Sequence, residues 1–253
     1  MTIPCSVYMV TLNCEAWLNA TLQSVSDFAE VIILDSGSTD ATYEIAQRFS
    51  NVMIKHQVWQ GYAKQKALAL DLCQQDWVLN LDGDEEVSSA LRANIVAVIA
   101  KGQVDGLIIP IRDAFIGKLS NPHTKYHAKI RFFRRGKGSY ELDVTVHEGI
   151  TVIGHVQRAQ GEIYHYGDQN ITEKVAKDNT YSLLKAEEKN SKGKQAQPIK
   201  LLLVMPVIFI KSYVIRRNFL NGWRGFISSM TNAFYAFLKE AKLYEQNQKN
   251  SRS

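Results

Sequence analysis

Cysteine is scarce in this chain: Cys5, Cys14 and Cys73 are the only three among 253 residues. They share no metal-type spacing, and an odd, scattered set argues against a disulfide scaffold and fits a reduced compartment. The opening stretch MTIPCSVYMVTLNCEAW lacks the basic start and long apolar core of a secretory signal. A cytoplasmic location is therefore expected. The apolar run LLLVMPVIFI (201–210) contains Pro206 and covers only ten residues, too few for the roughly 20 that cross a bilayer. No glycine- and basic-rich G-x-G-x-x-x-R start stands near the first strand, which weighs against a metal-dependent nucleotidyltransferase. No recognised RNA or DNA module is present either, so no nucleic-acid partner is expected.

What is there is a globular composition, 45% hydrophobic and 22% charged, long enough for one large domain or a domain with an appendage. The net charge of +5 is unevenly spread. From Asn190 onward, eleven Lys and Arg face two acids, Glu240 and Glu245; that surplus of nine leaves the first 189 residues at −4. Basic charge gathered in a tail points to an anionic partner.

Along the first half, strand-like and helix-like segments alternate. SVYMVTL (6–12) reads as a buried strand, EVIILD (30–35) as a second β-branched strand, NVMIK (51–55) as a short strand and DGLIIPI (105–111) as strand-like again. Helices are expected over 15–26, over STDATYEIAQRF with Ser38, Thr39 or Asp40 as N-cap, and over 62–73. Leu91, Ile95, Val98 and Ile99 carry the spacing of a helix packed on a sheet. Such alternation implies a largely parallel sheet covered by helices on both faces. Short β runs between Lys129 and Tyr166 extend it as a mixed sheet; 172–189 reads as helix and 189–198 as a polar linker.

The stretch DWVLNLDGDEEV, Asp76 to Val87, joins an apolar run to four carboxylates, Asp82, Asp84, Glu85 and Glu86. In open α/β sheets, ligands bind beyond the carboxyl ends of the strands, where Asp82 and Asp84 fall. Alternation sends both side chains the same way, with Gly83 allowing a tight turn between them. Two adjacent carboxylates repel, so the pair calls for a cation. Hard oxygen ligands suit Mg²⁺ or Mn²⁺ shared with a phosphate-bearing ligand. The plainer alternative is a solvated acidic turn; in either case Glu85 and Glu86 are expected to cap the following helix. LDSGSTD (34–40) supplies a second acidic strand end, in which Asp35 is suited to a base or ribose and Ser36, Gly37 and Ser38 form a donor-rich turn.

The order VTLNCEAWLNATLQSV, VIILDSGSTDAT, QGYAKQKALAL, DWVLNLDGDEEV resembles the nucleotide-binding half of family 2 glycosyltransferases with the GT-A fold. The continuation RFFRR…VTVHEGI…IYHYG, followed by a basic, apolar tail, resembles the bacterial lipopolysaccharide inner-core glucosyltransferase subgroup. The resemblance implies an α/β, Rossmann-like mixed sheet flanked by helices, with a C-terminal amphipathic helical tail. Its catalytic domain would span 1–188, with a nucleotide-sugar half at 1–110 and an acceptor half at 111–188. The linker at 189–198 and the tail at 199–253 complete that layout.

It further implies that Thr11, Asn13, Glu15 and Asp35 hold the nucleoside. Ser36 stands where many members carry a second Asp, which loosens any strict preference for uridine. Lys64 or Lys66 is the candidate to meet the diphosphate. Asp82 and Asp84 become the D-x-D pair, Asp84 on a divalent cation (Mg²⁺ or Mn²⁺) and Asp82 near cation or ribose. His165 is a further ligand candidate. Inverting transfer needs one more carboxylate as base, and Glu148, Asp143 and Glu141 are the candidates, with Glu148 favoured and His147 beside it. Arg131, Arg134 and Arg135 are suited to acidic acceptor groups, or to the solvent face of an edge strand.

The implied reaction transfers a hexose, glucose from UDP-glucose, to a lipid-linked oligosaccharide such as the inner-core heptose of lipopolysaccharide. In the tail, Phe219, Trp223, Phe226, Met230, Phe234, Phe237 and Ala241 form one helical stripe among basic residues. That stripe suits an anionic membrane surface at the cytoplasmic face of the inner membrane. It equally suits packing on the catalytic domain or on a second subunit of a homo-oligomer. A rival from another class is an inactive glycosyltransferase-like domain that recruits partners at the membrane.

Overall fold

A computed structural model describes residues 2–141, 149–168 and 170–250. In chain order it runs β1 (Ile3–Thr11), α1 (Glu15–Ser24), β2 (Phe28–Asp35), α2 (Thr42–Ala46), β3 (Val52–His56) and α3 (Tyr62–Asp71). There follow β4 (Trp77–Asn80), β5 (Glu85–Val87), α4 (Ser89–Lys101), β6 (Gly106–Phe115), β7 (Lys118–Leu119) and β8 (His127–Arg134). The rest comprises β9 (Gly138–Tyr140), β10 (Ile150–Val152), β11 (Val156–Arg158), β12 (Ile163–Asp168), α5 (Ile171–Ser191), α6 (Pro198–Ile210) and α7 (Gly222–Asn250).

The main sheet has the order β3-β2-β1-β4-β8-β6-β12-β5. β1 to β4 pair in parallel, whereas β8 runs antiparallel to both β4 and β6. β9 and β10 form a separate antiparallel pair. Alternation along β1 explains its near-total burial: Cys5, Val7 and Met9 enter one core with α1 and α4, and Tyr8 enters the core on the opposite face, with α3. The expected α/β sheet with helices on both faces is therefore observed. All three cysteines are free thiols, and burial pushes the Cys73 thiol up to about 12.

Two expectations fail locally. Glu85 and Glu86 do not cap a helix. They lie in β5, which pairs with β12 through His165↔Glu85, and Ser88 caps α4 by accepting from the Leu91 N–H at 3.2 Å. Edge pairing satisfies that backbone before the helix can start. The helix after LDSGSTD shrinks to Thr42–Ala46 without a Ser38 or Thr39 cap, because those residues are spent on the neighbouring loop; Asp40 instead accepts from the Thr42 N–H at 3.1 Å.

The chain falls into two compact units, Met1–Arg112 with His127–Tyr166, and Asp113–Tyr126 with Gly167–Ser253. In the second, α7 packs along α5 and α6. Its buried line is Gly225, Ser229, Ala233, Ala236, Glu240 and Leu243, of which the first four are small and let the helices approach. The aromatic stripe read from the sequence is not one buried face: Phe226 meets Phe209 edge-on, while Trp223 is 80% exposed. Glu240 is buried and accepts from Lys189 and, at 3.2 Å, from Lys200. Burial would raise its carboxyl, and those two lysines pull it below the ordinary value. The linker is short, since α5 runs to Ser191 and α6 starts at Pro198.

Candidate active site

The site forms where β1, β2 and β4 end. Thr11 stands opposite Asp35 in the β1–β2 ladder, and its hydroxyl donates to Asp35 Oδ2 at 2.8 Å. Asp35 is fully buried and accepts three further bonds, from the Gly37 and Ser38 N–H groups at 2.9 and 2.7 Å and from the Ser38 hydroxyl. Gly37 permits this turn because its φ of +106° is one that side chains rarely adopt. Four donors occupy both oxygens, so Asp35 builds the loop that frames the site.

Asn13 and Glu15 clip the first two loops together. Asn13 Oδ1 accepts from the Thr39 N–H at 2.9 Å, and Glu15 Oε2 from the Ala41 N–H at 2.9 Å. Ser36 accepts from the Gln65 amide at 3.3 Å. The two lysines part company. Lys64 lies on the exposed side of α3, whereas Lys66 is buried and donates to Asp82 Oδ1 at 3.0 Å.

Asp82 is held by a second cation. The Arg131 guanidinium donates to Asp82 Oδ2 at 2.9 Å, to Glu85 Oε1 at 2.9 Å, and to the Asn80 side chain. Burial opposes ionisation of Asp82, but the Arg131 and Lys66 charges outweigh it and keep that carboxyl well below its usual range. Glu85 is more deeply buried, and its carboxyl is pushed up despite Arg131. Two carboxylates, two cations and Asn80 thus make one network, buried at Lys66, Asn80, Glu85 and Arg131, while the Asp82 side chain is 36% exposed. Arg131 is consumed inside it, and Arg134 lies over the Trp77 ring at 4.4 Å with its Nε 3.6 Å from Asp105.

Asp84 is the carboxylate outside that network. Its Oδ2 lies 3.5 Å from His165 Nε2, and each side chain is about a third exposed. The backbone holds the pair in place: the Tyr166 N–H donates to the Asp84 carbonyl at 3.0 Å, and the Thr21 hydroxyl to the Gly83 carbonyl at 3.0 Å. Gly83 is required for close approach, since a Cβ there would come 2.9 Å from Cys14 Sγ. The Trp17 ring lies flat on Tyr166 at 4.6 Å, fixing the strand end that carries His165. One carboxylate and one imidazole, open on one side, form a donor set that fits a divalent cation completing its shell with phosphate oxygens. Among the described residues no three such ligands cluster.

Glu148, Asp143 and His147 lie outside the described residues. The described residues flanking that segment are anchored: Tyr140 pairs with Ile150, and the Tyr140 hydroxyl meets the buried Tyr8 hydroxyl at 2.6 Å. Glu141 is exposed. Asn80, Tyr8, Trp17 and the network role of Arg131 were not read from the sequence. Asn80 and Arg131 had a signal, each being a polar residue interrupting a short apolar run, in WVLNL and IRFF.

Residues 6–157 match the sequence model of the family described as Glycosyl transferase family 2. The chain belongs to that family. Its members act with inversion at the transferred sugar. The chain is 36% identical to the lipopolysaccharide core biosynthesis glycosyltransferase LpsC of Rhizobium meliloti, over 97% of its own length and 93% of that protein. It is also 34% identical to an uncharacterized glycosyltransferase of Rickettsia typhi, over 97% of this chain and 88% of that one. Among solved structures, S. aureus TarS 1–349 in complex with UDP-GlcNAc aligns with a TM-score of 0.52 at 15% identity, covering all of this chain and 92% of that one. The fold is that of the GT-A glycosyltransferases.

Proposed function

We propose that this family 2 glycosyltransferase moves glucose from UDP-glucose to the inner-core heptose of lipopolysaccharide or a similar surface glycolipid. The observation that carries the reading is Asp84 beside His165, next to an Asp82 already neutralised by Lys66 and Arg131. Asp84 and His165 would hold Mg²⁺ or Mn²⁺, which when bound offsets the charge that builds on the diphosphate. The strand-end loops of Thr11, Asn13, Glu15, Asp35 and Ser36 would frame the nucleoside, and Lys66 would supply positive charge near the phosphates. In one displacement the acceptor oxygen bonds to the sugar's anomeric carbon as the carbon–phosphate-oxygen bond breaks. The electron pair leaves on the nucleoside diphosphate. The hydroxyl proton passes to Glu148, with His147 beside it, and Asp143 and Glu141 are the alternative bases. The similarity to LpsC supports the acceptor class, and the enzyme would work peripherally at the cytoplasmic face of the bacterial inner membrane.

The test is nucleotide release from a panel of sugar nucleotides with Mn²⁺ or chelator, with and without heptose-terminated core acceptor. UDP-glucose turnover that needs acceptor and metal, and that Asp84→Ala and Glu148→Gln each reduce at least about 100-fold, is expected. Turnover of another donor would correct the sugar. Full activity in chelator or in Asp84→Ala would overturn the metal site.

A further inference from the structure

The second compact unit carries an apolar surface that nothing within it covers. α6 continues through a π-helical turn at Lys211–Ile215, giving an 18-residue stretch, Pro198–Ile215, of mean hydropathy 1.9 and only 6% buried. By length and composition alone it is the one described helix able to cross a membrane. One side faces α7, where Phe209 and Tyr213 meet the Phe226 ring. The other side presents Ile199, Leu202, Leu203, Val207, Ile210 and Val214, with Leu202 75% exposed. Those positions follow the i, i+3, i+4 spacing of a single helix face. Beyond the helix end, Phe219, Leu220 and Trp223 prolong the exposed apolar surface.

Charge surrounds that surface with one sign. From Asn190 to Lys239 there are eight Lys and Arg and no acid. Lys211, Arg216 and Arg217 are exposed. Folding adds two more cations from a distant stretch: the Lys125 N–H donates to the Arg216 carbonyl at 2.9 Å, and Arg224 reaches the Lys118 carbonyl at 2.9 Å. An apolar face beside exposed cations and an 80%-exposed tryptophan is complementary to anionic lipid. Two copies meeting through this face would bring like-charged clusters together without acids from that stretch to offset them. A spanning helix fits no better. Its roughly 27 Å length comes close to the hydrocarbon thickness, but α7 packs along it and the charged α5, with Lys174, Lys177, Asp178, Lys185 and Glu188, packs along α7 and would be drawn in as well.

We infer that the second unit docks on an anionic bilayer through the outward face of α6. The helix lies in the membrane plane, Trp223 sits at headgroup level, and Lys118, Lys125, Lys211, Arg216 and Arg217 face lipid phosphates. This deepens the membrane placement proposed above, naming the face, and is independent of the donor and acceptor chosen there.

The test is flotation of the full chain with phosphatidylcholine vesicles, with or without about one third phosphatidylglycerol. Binding to the anionic vesicles alone is expected. Leu202→Asp/Val207→Asp should weaken it at least about tenfold, and Arg216→Glu/Arg217→Glu by a similar factor at low salt. Both variants should keep wild-type turnover on a delipidated core oligosaccharide, so a failed donor assay and a failed membrane assay are told apart. As a readout independent of variant folding, brominated lipid should quench a blue-shifted emission that Trp223→Phe removes. The proposal falls if the wild type stays with neither vesicle, if the α6 variant floats like wild type, or if Trp223→Phe leaves the quenching unchanged. It also falls if the wild type is a dimer without lipid that Leu202→Asp/Val207→Asp makes monomeric.

Discussion

Replacing Arg131 with methionine tests the buried network most sharply. Arg131 is 5% exposed and is the cation bonded to Glu85, itself 2% exposed, while Asp82 keeps Lys66. Arg131→Met therefore strands a buried carboxylate, a change that costs about 3–5 kcal/mol when one partner of such a pair is removed. For a chain of this size each kcal/mol moves the midpoint by about 2–4 °C, so a fall in Tm of about 6–20 °C is expected near neutral pH. The loss should be greatest well above the carboxylate range, where Glu85 and Asp82 are both ionised. The Glu85 carboxyl is already raised by burial, and removing Arg131 raises it further. A raised acid contributes stability below its unfolded value near 4.3 and loses it as pH climbs through the folded value. The gap between variant and wild type should thus narrow from about pH 8 to about pH 5. Glu85→Gln in the same background removes the stranded charge and keeps an acceptor for the Asp82 N–H, so it should restore at least about half of the lost Tm. Near-ultraviolet circular dichroism against temperature measures all three. A fall below about 3 °C, no rescue by Gln, or a gap that widens in acid would refute the reasoning.

Two further expectations concern the catalytic edge. Gly83→Ala should cut turnover more than about tenfold by displacing Asp84, and Cys14→Ala in that background should recover part of it by freeing the Sγ contact; steady-state kinetics of both decides, and a wild-type Gly83→Ala would show that this approach does not hold Asp84. Lys66→Ala should lower donor turnover by about 10–100-fold, whereas Lys64→Ala should stay within about twofold. Equal losses would refute the separation of the two lysines.

Periodicity carried most of the first half of the fold. The β-branched runs at 6–12 and 30–35 and the helical spacing of Leu91, Ile95 and Val98 all appear as elements, because burial on both faces of a parallel sheet leaves unbroken apolar segments. The short pieces were less legible. DEEV reads as a helix start by its acids, yet three residues of edge pairing with β12 made it a strand, and no local pattern announces a partner some 80 positions away. Ser38 and Thr39 look like caps but serve the neighbouring loop, for the same reason.

By itself the sequence determined the sheet-and-helix alternation, the strand-end placement of Asp35, Asp82 and Asp84, and the family these residues indicate. Spacing and hydrophobic period are local properties and survive in one dimension. Only the tertiary structure decided that Asp82 is spent on Lys66 and Arg131 while Asp84 meets His165, and that Lys66 points inward while Lys64 faces solvent. It alone turned the apolar run of α6 outward beside cations drawn from two stretches of chain. Charge pairing and burial depend on distance in space, and that distance is set by how the strands and helices pack.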